Sequence, residues 1–131
     1  MLLDTSGLLC LHYQTEPFHS QAVRAYREAS TLITHSYIIA EYIALVTARR
    51  LDRSSAIDFV ISLLDNPDKE TIWIDESLHR DAIALLVVSQ HKNYSLCAAV
   101  SFVLMRNIGI MDALTTDKHF EQEGFLRLLK A

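Results

Sequence analysis

Glycine and cysteine are scarce in this chain, and each scarcity removes a class of chemistry. Three glycines are too few and too scattered for a Gly-rich loop that cradles phosphates. The two cysteines, Cys10 and Cys97, lie in apolar contexts without zinc-site spacing, and two make no disulfide framework. Both read as small core residues of a reduced, intracellular protein. An excess of positive charge is missing too: 12 Lys+Arg against 16 Asp+Glu give a net charge of -4. That is not the balance of a nonspecific nucleic-acid binder, although it leaves room for a local basic rim around an acidic site. The six histidines (His12, His19, His35, His79, His91, His119) show no paired spacing of the zinc-binding kind. No serine or cysteine has a recognisable base at useful spacing, so nucleophilic catalysis finds no support. Long apolar runs are absent as well. The uncharged stretch from Tyr94 to Met105 is well short of the ~20 residues that span a bilayer. Asp4 interrupts the opening apolar run and no basic segment precedes it, so no signal peptide is expected. The expectation is a soluble, cytoplasmic protein with no membrane segment.

What the chain does have is hydrophobic material, half of its 131 residues, enough for a substantial core in one domain spanning 1–131. Apolar β-branched segments alternate with helical patterns. Strands are expected at Met1–Asp4, Thr31–Thr34, Thr71–Ile74 and Ala113–Thr116, with a fifth at Phe125–Leu129. Between them, helices are expected from Thr5 toward Tyr13, from His19 to Ala29 and from Ser36 to near Arg50. Others open at Asp52 or Ser54 and at Asp75, and one runs from Ser95 to Asn107, closed by Gly109. In the helix after Asp52, Ile57, Val60, Ile61 and Leu64 fall at helical spacing. Trp73 lies in an apolar strand and reads as core rather than as a base-stacking platform. This alternation predicts an α/β fold, with a mainly parallel four- to five-stranded sheet covered on both faces.

Three acids stand out. Glu41 is the lone charged residue between Ala29 and Ala48, on a helix apolar nearly all round and therefore expected to be buried. A buried carboxylate is costly unless paired, protonated or bound to a metal. Asp4 and Asp117 follow apolar strands, at the carboxyl edge where open α/β sheets bind ligands. Taken singly, Asp4 and Asp117 read as helix caps, and Glu41 as a buried ion pair with an arginine. Taken together, they form a candidate site for a hard divalent cation. Arg49 and Arg50, just beyond the apolar helix, are either a basic rim for substrate or partners of the helix dipole. His91 and His119 are further candidate substrate contacts, each with a helix-end or capping alternative.

The segments Leu2-Leu3-Asp4-Thr5-Ser6, the apolar helix with Glu41 in its first turns, and Leu114-Thr115-Thr116-Asp117-Lys118-His119-Phe120 resemble the PIN-domain family, and within it the VapC-like branch. The segment Tyr94-Ser95-Leu96 through Met105-Arg106 to Glu123-Gly124-Phe125 fits the same branch, so the resemblance covers essentially the whole chain. It implies a three-layer α/β/α Rossmann-like fold and a Mg2+- or Mn2+-dependent ribonuclease. Clustered acids in such enzymes bind one or two ions that activate water for attack on an RNA phosphodiester. Position by position, it assigns Asp4, Glu41 and Asp117 as catalytic, metal-binding acids, with Ser6 and Thr115 supporting them. It also implies an antitoxin partner and a homodimer. One departure is plain: where the family's Ser-Leu-Thr-Asp run places a further acid, this chain has Ser95-Leu96-Cys97-Ala98. Two functional readings therefore stand side by side, a weakened ribonuclease toxin and a catalytically impaired PIN domain that binds RNA or protein. In a third, structural reading, each acid only caps a helix or pairs with an arginine.

Overall fold

A computed structural model describes all 131 residues. In chain order the elements are β1 (Leu2–Leu3), α1 (Thr5–His12), α2 (His19–Glu28), β2 (Leu32–His35), α3 (Ser36–Ala48), α4 (Arg53–Asp65), β3 (Lys69–Ile72) and α5 (Glu76–Val88). A 3-10 turn at Gln90–Lys92 leads into α6 (Leu96–Ile108), β4 (Asp112–Leu114), α7 (His119–Gln122) and β5 (Leu126–Arg127). The five strands form one sheet in the order β3-β2-β1-β4-β5, and every pairing is parallel. The expected mainly parallel α/β architecture is therefore what forms. Right-handed crossovers send α1–α4 over one face as the chain steps from β1 to β3, and α5–α6 over the other as it returns to β4. The direction of strand order reverses at β1, which lies between β2 and β4. Such a reversal opens a crevice at the carboxyl edge of the sheet.

Strand boundaries differ from the expectation mostly at β3. The apolar run Thr71–Ile74 is half outside the sheet, and the polar Lys69-Glu70 pair is inside it. The cause is register. Parallel β2 and β3 align Leu32 with Lys69 and His35 with Ile72, and β2 stops where α3 starts. As an edge strand, β3 tolerates polar residues, and Lys69 lies over the Tyr26 ring. Trp73, read as core, is instead 68% exposed just past the strand end.

The helices are set by caps and by apolar faces. Asp52 accepts the Ser54 N–H, Asp75 the Leu78 N–H and Ser95 the Ala98 N–H, opening α4, α5 and α6. Gly109 closes α6 in the left-handed region, as expected. In α4 the buried stripe is Ala56, Val60 and Leu63. Ile57, Ile61 and Leu64 face solvent, so only Val60 of the four residues at helical spacing points inward. α3 departs further: its buried residues are Ile38, Tyr42 and Val46, one stripe, while Ala40, Glu41 and Ala44 are exposed. No helix is long and apolar enough to cross a membrane.

The hydrophobic core is continuous from β1 through α3 to the Phe102, Phe120 and Phe125 cluster under α6 and α7. Gly7 sets the distance between α1 and the sheet. A Cβ there would stand 2.0 Å from the Leu114 carbonyl oxygen, so only glycine lets the first turn of α1 lie against β4.

Candidate active site

Asp4 is buried at the end of β1, at the reversal point of the sheet. It occupies the N-cap position of α1 but makes no capping hydrogen bond. Its Oδ2 instead accepts from Thr115 Oγ1 at 2.6 Å. The Thr115 hydroxyl has one proton, already given to Asp4, so its other contacts are accepted bonds: the Asp117 N–H at 3.0 Å and the Ser6 hydroxyl at 3.2 Å. Ser6 Oγ in turn accepts the Thr116 N–H at 3.0 Å. This network fastens the segment after β4 to the start of α1, which only the absent Gly7 side chain lets approach. Ser6 and Thr115 are thus bonded to each other and, through Thr115, to Asp4.

Asp117 sits beside this network. Its Oδ1 accepts the His119 N–H at 2.9 Å and lies 3.2 Å from His119 Nδ1, which orients the imidazole. The N-cap position of α7 is Lys118, with no side-chain cap bond, so this bond is an Asx turn leading into the helix rather than the expected cap. His119 also packs edge-on against Tyr94 at 5.0 Å.

Glu41 corrects the expectation of burial: it is exposed on the open face of α3. It makes none of the molecule's ion pairs, so the buried-pair reading is not what the structure adopts. Because α3 starts directly at the carboxyl edge of β2, its first turns stand over the same edge as Asp4. The three carboxylates accordingly feel one another. Burial, opposed by hydrogen bonds from Thr115 and the Thr5 backbone and reinforced by the charges of Glu41 and Asp117, pushes the Asp4 carboxyl up to about 6. Asp4 and Glu41 have no basic partner, and the repulsion on Asp4 is what a cation would relieve. The donor set, all carboxylate oxygen here, fits a hard divalent ion. Asp4 and Glu41 with Asp117 are neighbours rather than a closed cage, since no three of the His, Cys, Asp and Glu side chains form a ready-made metal cluster. None of the surface concavities is lined by them.

The basic rim expected from Arg49 and Arg50 does not lie here. α3 runs away from the carboxyl edge, and eight residues of helix separate Glu41 from Arg49, about 12 Å along the axis. Arg49 pairs with Glu16 at 3.0 Å, and Arg50 is exposed with φ 56 just past the helix end. His91 is exposed on the 3-10 turn before α6 and bonds to none of the acids. Lys118 is the exposed cation next in sequence to Asp117.

Ala98 is buried on the first turn of α6, where its N–H is taken by Ser95. Two residues missed by sequence reasoning stand near the acids. Burial pushes the Cys97 thiol up, and the charges of Glu41 and Asp4 push it further. The Tyr94 hydroxyl donates to Glu123 at 2.6 Å, in a group completed by Arg106 at 2.8 Å. Cys97 carried a weak signal: it immediately precedes the position where the family places an acid.

The chain folds like VapC20 of Mycobacterium tuberculosis, a sarcin-ricin loop cleaving toxin, with a TM-score of 0.86, 25% sequence identity and 95% of each chain covered. No curated protein matches. The family model of the PIN domain matches residues 1–126, and with the parallel sheet and the acids at its carboxyl edge, this chain belongs to the PIN-domain family.

Proposed function

We propose that the chain is a divalent-metal-dependent endoribonuclease of the VapC toxin type, which hydrolyses RNA phosphodiesters at the edge formed by Asp4, Glu41 and Asp117. What supports this reading is the PIN-domain match together with the charges of Glu41 and Asp117 acting on buried Asp4, whose carboxyl is pushed up to about 6, with no basic side chain bonded to Asp4 or Glu41. Asp4, Glu41 and Asp117 are the residues that would hold a Mg2+ or Mn2+ ion, which would supply neutralising charge for the phosphate and a lowered pKa for attacking water. The protein's own part is positional. Thr115 and Ser6 fix the Asp4 carboxylate and the Asp117 backbone relative to each other, and Glu41, exposed and unpaired, is free to turn toward an ion. Lys118 and His119, flanking Asp117, are the cationic groups available to an RNA phosphate. Hydrolysis adds water across the P–O bond, its hydroxyl to phosphorus and its proton to the leaving oxygen.

A second reading has a specific observation behind it. Ala98 removes one anion from the set, which weakens the hold on a second ion, so a catalytically impaired PIN domain that binds RNA or protein is the alternative. In either reading the protein acts in the cytoplasm. The partners proposed are RNA, an antitoxin protein and a second copy of the chain. The exposed Ile57, Ile61 and Leu64 on α4, and Val87 and Val88 on α5, are apolar surface available to them.

The test is cleavage of a sarcin-ricin loop oligonucleotide and of single-stranded RNA with Mg2+ or Mn2+. Weak cleavage by the wild type, abolished in Asp4→Asn and by chelator, is expected. Absence of both cleavage and divalent-ion binding would sink the nuclease reading.

A further inference from the structure

Tyr94 has a setting that packing alone does not require. It lies 8% exposed between the 3-10 turn and α6, directly after Asn93, whose left-handed backbone at φ 56 ends that turn. Its ring meets Phe102 edge-on at 5.1 Å, which a phenylalanine would do as well. The hydroxyl goes further and donates to Glu123 Oε2 at 2.6 Å. The Glu123 side chain is 13% exposed, takes Arg106 Nη2 at 2.8 Å on its other oxygen and has Lys92 Nζ at 4.0 Å. Arg106 also donates to the Glu123 carbonyl at 3.0 Å. Groups ahead of α6 and near its C-terminal end thus clamp one residue.

Glu123 directly follows α7, a helix of four residues. So short a helix does not hold its own shape in water, and contacts from outside fix its place. His119 and Glu123 are one turn apart, with the Glu123 N–H on the His119 carbonyl at 3.1 Å, and residues at this spacing share a face. Tyr94 lies along that face: its hydroxyl is on Glu123, and its ring meets the His119 imidazole edge-on at 5.0 Å. Edge-on pairs at this separation are attractive and directional. His119 Nδ1 in turn lies 3.2 Å from Asp117 Oδ1. A chain of contacts therefore runs from Arg106 through Glu123, Tyr94 and His119 to Asp117.

We propose that Tyr94 is a positioning residue for RNA cleavage: it fixes the His119 imidazole, and with it the bearing of the Asp117 carboxylate, toward the scissile phosphate. The proposal rests on the reading of Asp117 as an ion ligand and of His119 as a phosphate contact. Tyr94 is buried and acts only through its neighbour. The His119 side chain is 32% exposed, so without the Tyr94 ring it has solvent to turn into. Asp117 is then held twice. Thr115 accepts its backbone N–H, and Tyr94, through His119, steadies its side chain.

The experiment measures kcat/KM of the full chain on the sarcin-ricin loop oligonucleotide with Mg2+, in a double-mutant cycle. Tyr94→Leu removes ring and hydroxyl, His119→Ala removes the imidazole, and a third variant carries both changes. Tyr94→Leu should fall toward the roughly hundredfold loss that a misplacement of about 1 Å brings. His119→Ala should fall at least as far, and the double variant no further than His119→Ala. Tyr94→Phe, which keeps the ring, should recover most of the loss. A tyrosine of purely structural value would multiply its loss with that of His119→Ala. Such multiplication would overturn the proposal and leave the nuclease reading standing, as would full activity in His119→Ala. A wild type that cleaves no RNA and binds no divalent ion would remove both. Proton NMR decides the matter where cleavage is weak or Tyr94→Leu folds poorly. An Overhauser contact between the Tyr94 and His119 rings is expected in the wild type, and its absence would overturn the proposal.

Discussion

The Thr115 hydroxyl donates to Asp4 Oδ2 at 2.6 Å across 111 positions of sequence. This one bond joins the first and fourth strands at their carboxyl ends and sets the geometry of the acidic edge. The same oxygen accepts the Asp117 N–H, so a single side chain positions two of the three carboxylates.

Thr115→Val keeps the shape and removes the hydroxyl. It leaves the Asp4 carboxylate and the Asp117 N–H without their partner, a loss of about 1–3 kcal/mol in a buried setting. Urea unfolding should show that destabilisation. Cleavage should fall by at least about tenfold, as for residues that support a metal ligand, while Thr115→Ser should retain most of both.

Gly7→Ala should be among the most damaging small substitutions in the chain. Its Cβ would stand 2.0 Å from the Leu114 carbonyl oxygen, a backbone atom that cannot rotate away. Overpacking of this kind costs about 3 kcal/mol or more. Thermal melting should show it, and the gap between α1 and β4 should open enough to lengthen the Ser6–Thr115 contact in a crystal structure of the variant.

Ala98→Asp restores a carboxylate at the first turn of α6, where the helix N-terminus favours negative charge. In the Mg2+ cleavage assay the variant should exceed the wild type. A silent wild type with an active Ala98→Asp would mark the natural chain as the impaired form. Equal activity in both would show that the position does not contribute an ion ligand.

The acidic edge also leaves a mark on stability in metal-free protein. Asp4 has its carboxyl raised from 3.8 to about 6 in the fold, so the folded state takes up a proton in that window before the unfolded chain does. Folding therefore becomes relatively more favourable as pH falls through it. His35 acts with the opposite sign. Burial lowers it from 6.5 to about 3, so the unfolded chain takes up the proton first and stability is lost as pH falls from 6.5. Between pH 6 and 4 the two slopes, about 1.4 kcal/mol per unit each, largely cancel. Asp4→Asn removes one of them. Its stability advantage over the wild type at pH 7 should shrink by about 3 kcal/mol on going to pH 4, as read from urea midpoints in chelator.

The order of strands and helices, the parallel sheet and the places of Asp4 and Asp117 at its carboxyl edge were legible in the sequence. Alternating apolar β-branched runs and helical patterns carry that information locally, and an acid directly after a strand falls at the edge by connectivity alone. Ser6 and Thr115 were legible through family resemblance and then found bonded to each other. The side of α3 on which Glu41 lies was not legible. A helix apolar nearly all round has no preferred face of its own, and the neighbours packed on Ile38, Tyr42 and Val46 chose it, leaving Glu41 in solvent beside Asp4. Trp73 and β3 were misread for a related reason: strand register is fixed by the partner strand, and β2 ends at His35. Arg49 and Arg50 follow Glu41 closely in sequence but stand at the far end of a helix that carries them away from the acids.

The sequence by itself thus determined which residues are chemically capable, and which secondary elements carry them, because hydrophobic periodicity is a local property. Only the tertiary structure decided which of them meet. It set Thr115 on Asp4 and His35 on Ser101, because those contacts join residues distant in the chain and depend on how packed elements face one another.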